Sequence, residues 1–293
     1  MISIAIASFK EPKTIGRAID SILNQNLKDY ELIVSSPDKI TQKIVERYIQ
    51  KNKKISLIKD KGLGKPAALN LIFKKARGEV LILTDGDVYS SKDSIKYLLE
   101  SINNSKGTGA VTSRVVSTNS KESMFGFWAY LLTESFHRMR LNEQREAKNV
   151  ICSGYLYAIR TGIISSLPED VLADDAYISF LIQKKGFRTL YEPKAEVYVK
   201  YPTTLPDWIR QKKRTAARFY QLKKMFKISK TASLTEEAKS TLWIFTKLEN
   251  FKELFWFLLL IFMKSYIWAR VFLDVRLWKR SFKNNWERVE STK

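Results

Sequence analysis

Two aspartates, Asp85 and Asp87, close the apolar run Val80-Leu81-Ile82-Leu83-Thr84. Side chains at i and i+2 of a strand share a face, so both carboxylates point to one place. Two carboxylates held together are costly unless they bind a divalent cation or line a polar cleft. The carboxyl end of a strand in an open α/β sheet is where ligands bind. The competing reading is an ordinary solvated loop, since the triplet arises by chance in many turns. A second acidic pair, Asp174-Asp175, opens a stretch with helical character. There the competing reading is helix capping, because aspartate is favoured by the helix dipole and by free N–H groups at an N-terminus.

Composition narrows the chemistry. The 293 residues contain one histidine, His137, which leaves no room for a His-based triad or a His-rich metal site. Acid and base work must therefore rest on carboxylates. One cysteine, Cys152, excludes a disulfide framework and a zinc cluster and fits a reducing compartment. The net charge of +21 implies an anionic partner: nucleic acid, a membrane surface or a phosphorylated substrate. The opening run Met1 to Ala7 lacks a basic leader and is too short for a signal segment, so it reads as a buried strand.

The elements that must position these residues alternate. Strands are expected over Ile2 to Ser8, Tyr30 to Val34, Ile55 to Ile58 and Val80 to Thr84. Helices are expected between them, over Thr14 to Gln25, Ile40 to Lys51 and Pro66 to Ala76. This alternation predicts a doubly wound, mainly parallel sheet whose first ~100 residues form a nucleotide-binding half. Beyond it the pattern gives a helix over Asp93 to Ile102, a strand over Gly109 to Val116 and an aromatic-rich helix over Lys121 to Glu146. It continues with strands over Ile151 to Ile159, Arg188 to Tyr191 and Ala195 to Lys200, and reads as helical from Thr204 onward.

In this order the pieces resemble family 2 glycosyltransferases, which have the GT-A nucleotide-sugar-binding fold. The resemblance runs from Ile2 to about Arg218. It is carried by Phe9-Lys10-Glu11, Gly64 to Asn70, Asp85-Gly86-Asp87, Ser153-Gly154 and Ala173-Asp174-Asp175, then Gly186-Phe187-Arg188, Tyr191-Glu192-Pro193 and Gln211 to Arg214. It is most similar to the membrane-associated, polysaccharide-synthase-like branch. The resemblance implies Asp87 as ligand of Mg²⁺ or Mn²⁺, with Asp85 beside the ribose or in the metal's outer shell. It places Ser8, Glu11, Ser36, Lys65, Gln211 and Arg214 on the donor, with Glu11 and Ser36 at the base and Lys65 near the phosphates. Asp175 becomes the general base, with Asp174 and Gly154 on the acceptor side. Arginine suits a diphosphate because its fork donates two parallel hydrogen bonds, although this stretch also reads as one turn of a basic helix. Three positions depart from the family pattern. Ser35-Ser36-Pro37-Asp38 stands where an aspartate pair is usual after the second strand. Ala173-Asp174 stands where Thr-Glu is usual, and Thr215 stands where a tryptophan follows the arginine in processive members, which weakens the case for long-polymer synthesis.

The C-terminal third is basic and aromatic. Arg210 to Lys230 carries many basic residues and no acidic one. In Leu254 to Val275 the charges Lys264, Arg270 and Asp274 fall within an arc of about 120° of a helical wheel. An interfacial helix attracted to anionic lipid fits this pattern; a spanning helix with its polar stripe buried, and a plain core helix, are the alternatives. The expected layout is a catalytic domain over 1–203, divided into a nucleotide half (1–100) and an acceptor half (101–203). A helical, membrane-surface region follows over 204–293. The expected function is inverting transfer of a sugar from a nucleotide-diphosphate donor, UDP-linked by expectation. The acceptor is a hydroxyl or phosphate, lipid-linked or saccharide, at the cytoplasmic face of a membrane, with no nucleic-acid partner. A nucleotidyltransferase of similar sheet architecture, or a non-catalytic basic membrane or nucleic-acid binder, are the competing functions.

Overall fold

The computed structural model describes residues 1–226, 243–273 and 289–292. The element order is β1 (Ile2–Ala7), α1 (Ile15–Leu23), β2 (Tyr30–Ser36), α2 (Lys39–Lys51), β3 (Ile55–Lys59), α3 (Lys65–Lys75), β4 (Val80–Asp85) and β5 (Tyr89–Ser90). Then come α4 (Ser94–Asn104), β6 (Thr108–Ser117), α5 (Met124–Arg145), β7 (Leu156–Arg160), α6 (Asp174–Lys184), β8 (Arg188–Val199), α7 (Leu205–Phe226) and α8 (Phe251–Phe272).

The eight strands form one sheet in the order β3-β2-β1-β4-β7-β6-β8-β5. The parallel part expected from the strand–helix alternation runs through β3, β2, β1 and β4. Beyond it β7 runs antiparallel to both β4 and β6. The central strands are buried along nearly their whole length, as befits strands covered on both faces. A core of Ile33, Leu69, Leu81, Leu83, Ile159 and Ile178 seals the sheet against α3 and α6. Register then sets the upper rim. Ala7 lies opposite both Ser35 and Asp85, so Ser8 and Gly86 leave the sheet side by side.

Two local expectations are corrected. The strand over Ile151 to Ile159 begins only at Leu156. Residues 152–154 leave the ladder because their amides are taken by side chains: Ser179 Oγ for Cys152, Thr112 Oγ1 for Ser153 and Asp175 Oδ2 for Gly154. The break expected at Pro193 does not occur. β8 is continuous, with Thr189, Tyr191, Ala195, Val197 and Val199 all buried on one face, so the two-residue period passes through the proline unshifted.

The chain divides into two compact units, residues 1–116 with 140–199, and residues 117–139 with 200–292. The second has its own core, in which Trp128 packs 4.8 Å from Trp208 and its indole N–H donates to Trp256 O at 2.7 Å. α8 is the one helix among the described residues long and apolar enough to cross a membrane. Asp274 and Val275, included in the expected amphipathic segment, lie outside the described residues.

Candidate active site

The carboxyl ends of β1, β2, β3 and β4 supply one polar rim. At β1 the Ser8 hydroxyl donates to Glu11 Oε2 at 2.9 Å. The following loop is held from β2 and α2: Asp38 Oδ2 accepts from the Lys10 amide (2.8 Å) and the Ser36 hydroxyl (3.1 Å), and Thr41 Oγ1 accepts from the Glu11 amide. Asp38 also caps α2 through the Thr41 amide. These donors hold the Asp38 carboxyl below its ordinary range although burial pushes it up. Beside β3, Asp60 accepts from the Ser35 hydroxyl at 2.7 Å. Asp38 and Asp60 are rim residues to which motif reading gave no part. Asp38 was visible as the acidic residue of Ser35-Ser36-Pro37-Asp38, whereas Asp60 carried no signal of its own.

A side chain between the two aspartates would force its neighbours to move. A Cβ there would collide with Glu11 Oε2 and come within 2.7 Å of Ser8 Oγ. The absence of a side chain lets the β1 loop close onto Asp85-Gly86-Asp87.

From the other side comes Lys65, the first residue of α3, delivered by Gly64 in a positive-φ conformation and followed by a proline in the helix's first turn. Its ammonium reaches Asp85 Oδ1 at 2.6 Å and Asp174 Oδ2 at 3.2 Å. Burial alone would lower its pKa, but Asp174, Asp85 and Asp175 together raise it, so it stays charged. Burial pushes the Asp85 carboxyl up, with Asp87 and Asp174 adding to the shift and Lys65 opposing it.

The antiparallel entry of β7 explains how the third group arrives. Thr84 pairs with Leu156 and its hydroxyl donates to Tyr155 O, which carries Gly154 to the rim beside Asp85. There the Gly154 amide donates to Asp175 Oδ2 at 2.8 Å, while Asp175 Oδ1 accepts from the Ala176 amide at 2.9 Å. A Cβ on Gly154 would lie 3.1 Å from Asp175 Oδ2 and 3.5 Å from Lys65 Nζ. Three bonded sets thus meet on the first unit. Ser8, Glu11 and Ser36 are joined through Thr41 and Asp38, and Asp85 and Asp174 are joined by Lys65. Gly154 is held on Asp175, whose charge also acts on Lys65, with Asp87 in the field of Asp85. Gln211 and Arg214 lie on α7 in the second unit; Gln211 is buried and Arg214 half-buried.

Among the described residues no three acidic, His or Cys side chains form a complete metal site. A divalent cation held by one or two carboxylates, and completed by substrate phosphates and water, needs no such cluster. Asp85, Asp174 and Asp175 act on the Lys65 ammonium and Asp87 acts on Asp85, so carboxylates suited to this kind of ion are gathered at one rim.

Residues 3–166 match the family profile described as glycosyl transferase family 2. The chain belongs to glycosyl transferase family 2. Its relatives include a probable glycosyltransferase, YdaM, of Bacillus subtilis, 26% identical over 76% of this chain and 59% of its own length. An N-acetylglucosaminyltransferase of Azorhizobium caulinodans is 24% identical over 75% of this chain and 60% of its own. A poly-beta-1,6-N-acetyl-D-glucosamine synthase of Staphylococcus aureus is 24% identical over 83% and 62%. This family 2 chain therefore spans about 60% of the length of these relatives. Among solved structures, the mannosyltransferase PcManGT from Pyrobaculum calidifontis, in complex with GDP-Man and Mn²⁺, superposes with a TM-score of 0.68. The match covers 95% of this chain and 87% of that one at 18% identity, a likeness of fold.

Proposed function

We propose that this family 2 chain is an inverting glycosyltransferase that moves a sugar from a nucleoside-diphosphate sugar, UDP-linked in our reading, to a lipid-linked or saccharide acceptor at the cytoplasmic face of a membrane. The observation that carries the proposal is the Asp175 carboxylate, held by the Gly154 amide within one residue's reach of the Lys65–Asp85 pair.

In the reaction the acceptor oxygen attacks the anomeric carbon as the bond from that carbon to the diphosphate oxygen breaks. Asp175 takes the acceptor's proton, and the diphosphate leaves with the bonding pair. Asp175 suits this work because both its oxygens are already oriented by backbone amides, which fixes the rotamer at no cost during reaction. Lys65 supplies fixed positive charge near the departing diphosphate. Glu11 and Ser36 are placed at the nucleoside, and Gln211 and Arg214 are assigned to the diphosphate on the family resemblance alone. A Mg²⁺ or Mn²⁺ ion at Asp85 and Asp87 would neutralise the charge that grows on the leaving group.

Membrane action rests on α8, whose exposed residues Phe251, Phe255, Leu258 and Phe262 are apolar, together with the +21 net charge. Calorimetry with UDP and GDP, with and without Mn²⁺, tests donor binding. The Asp175→Asn variant should bind nucleotide normally and lose transfer by about 100-fold or more. Normal sugar transfer by that variant would remove Asp175 as the base, whereas a nucleotidyl-transfer activity left intact by it would favour a nucleotidyltransferase instead.

A further inference from the structure

Lys65 places a cation at the end of a helix that disfavours one. It is the first residue of α3, and the first turn of that helix has no acidic residue. The free N–H groups there carry positive partial charge, so the ammonium is repelled by its own helix. Its anchors lie across the rim. Nζ stands 2.6 Å from Asp85 Oδ1 and 3.2 Å from Asp174 Oδ2. The two anchors differ. Asp174 is 4% exposed, and its Oδ2 makes no hydrogen bond among the described residues, so its hold on the ammonium is Coulombic. The Asp85 contact is short and direct, with the length of a charge-assisted bond.

Asp85 is therefore claimed twice, by Lys65 and, with Asp87, by a divalent cation. An ammonium and a divalent cation on one carboxylate repel each other, and each weakens the hold of the other. A diphosphate changes the sign of that coupling. Its oxygens accept from the ammonium and also ligate the metal, so negative charge comes to lie between the two positive ones. Lys65 has the means to turn towards it: a flexible four-carbon stem, half-buried, beside a Gly154 that carries no side chain.

We infer that Lys65 makes metal binding conditional on the nucleoside diphosphate: it competes with Mg²⁺ or Mn²⁺ for Asp85, and gives that carboxylate up when a diphosphate takes the ammonium. Asp174 keeps the ammonium at the rim through the exchange. The protein alone then holds the metal weakly, and the nucleotide and the metal strengthen each other by the same factor. The inference rests on the donor-binding part of the proposed function and adds the control of one ligand by the other.

The test counts free Mn²⁺ by electron paramagnetic resonance as the ion is titrated into the full chain, alone and then with saturating UDP or GDP. Wild type should bind Mn²⁺ at least about tenfold more tightly with nucleotide than without. Lys65→Met and Lys65→Gln should bind Mn²⁺ alone about tenfold more tightly than wild type, and gain less from nucleotide. Lys65→Arg keeps the charge and should keep the weak nucleotide-free binding. Lys75→Met removes the same charge from an exposed position at the far end of α3, and should change nucleotide-free binding by less than about twofold. Thermal unfolding reports whether each variant is folded, and the glutamine variant carries the test where the methionine variant is not.

Nucleotide-free Mn²⁺ binding that is unchanged or weaker in the neutral variants overturns the competition and leaves Lys65 a phosphate ligand only. Equal tightening in Lys75→Met overturns it by reducing the effect to net charge. Tightening in Lys65→Arg does so by reducing it to side-chain shape. Failure of wild type to bind Mn²⁺ with either nucleotide sinks the metal and donor reading together with this inference. Nucleotide-dependent Mn²⁺ binding that is indifferent to residue 65 sinks this inference alone.

Discussion

The Gly154 amide donates to Asp175 Oδ2 at 2.8 Å, and the space a Gly154 side chain would fill is bounded by that same oxygen at 3.1 Å and by Lys65 Nζ at 3.5 Å. A loop glycine therefore sets the position of the proposed base and its distance from the lysine that pairs with Asp85. Gly154→Ala should displace the Asp175 carboxylate by a few tenths of an ångström and leave the fold intact. We expect kcat to fall about ten- to a hundredfold, with nucleotide affinity changed by less than about threefold. Steady-state kinetics beside calorimetry with a nucleoside diphosphate checks the split. A variant that loses nucleotide binding but keeps kcat would remove Gly154 from this role.

Gly86→Ala acts on the other wall. Its Cβ would enter the space of Glu11 Oε2 and Ser8 Oγ, so the loop after β1 must back away from the acidic triplet. The expected cost is about 1–3 kcal/mol of stability, from the overpacking of a buried position. Nucleotide binding should weaken more than transfer of bound donor. Urea unfolding combined with nucleotide titration measures both, and an unchanged nucleotide Kd would detach Ser8 and Glu11 from the donor.

Much of this site was legible in the sequence because its residues sit where periodicity changes. Asp85 ends an apolar strand, Lys65 starts a helix after a glycine, and Asp174-Asp175 opens another, so local pattern placed each on a rim. Gly154 was legible only through the family motif, since nothing local says that residues 152–154 leave the sheet. Their departure depends on three partners distant in sequence, Thr112, Asp175 and Ser179. The antiparallel entry of β7 was hidden for the same reason, because strand direction is decided by tertiary pairing. Asp60 went unnoticed because its role comes from Ser35 on a neighbouring strand. Which stripe of α8 the protein buries needed the packing of α7 against it, as a wheel shows an apolar arc without showing which side the protein occupies.

Tyr157 offers a test of the floor beneath the acidic residues. Its side chain is fully buried next to Leu83, and among the described residues its hydroxyl has no hydrogen-bond partner. Burial, then Asp174 and Asp175, pushes the phenol well above its ordinary pKa, so it stays neutral. A buried hydroxyl with no partner contributes a desolvation cost and no bond. Tyr157→Phe should therefore change stability by no more than about 1 kcal/mol, with stabilisation the expected sign. Tyr157→Ala should cost about 3–5 kcal/mol through the cavity it leaves. Thermal unfolding of the pair decides the matter: a large loss in the Phe variant would mean that the hydroxyl is bonded in solution.

The acid limb of stability should carry the mark of Glu31. This buried carboxylate accepts from the Ser3 hydroxyl at 2.7 Å and from the Arg77 amide and guanidinium, stitching β1, β2 and the end of α3 together. Burial raises its pKa, but the hydrogen bonds from Ser3 and Arg77 outweigh burial and hold it below the ordinary glutamate value. A carboxylate depressed in the folded state stabilises the fold above its unfolded pKa of about 4.3, and loses that contribution as pH falls through the folded value. Glu31→Gln should thus be less stable than wild type by about 1–3 kcal/mol at pH 7, with the gap closing progressively below about pH 4. Urea midpoints measured across that range are the check. A gap that stays constant down to the lowest pH would mean that the loss is one of shape and hydrogen-bond geometry, with no contribution from charge.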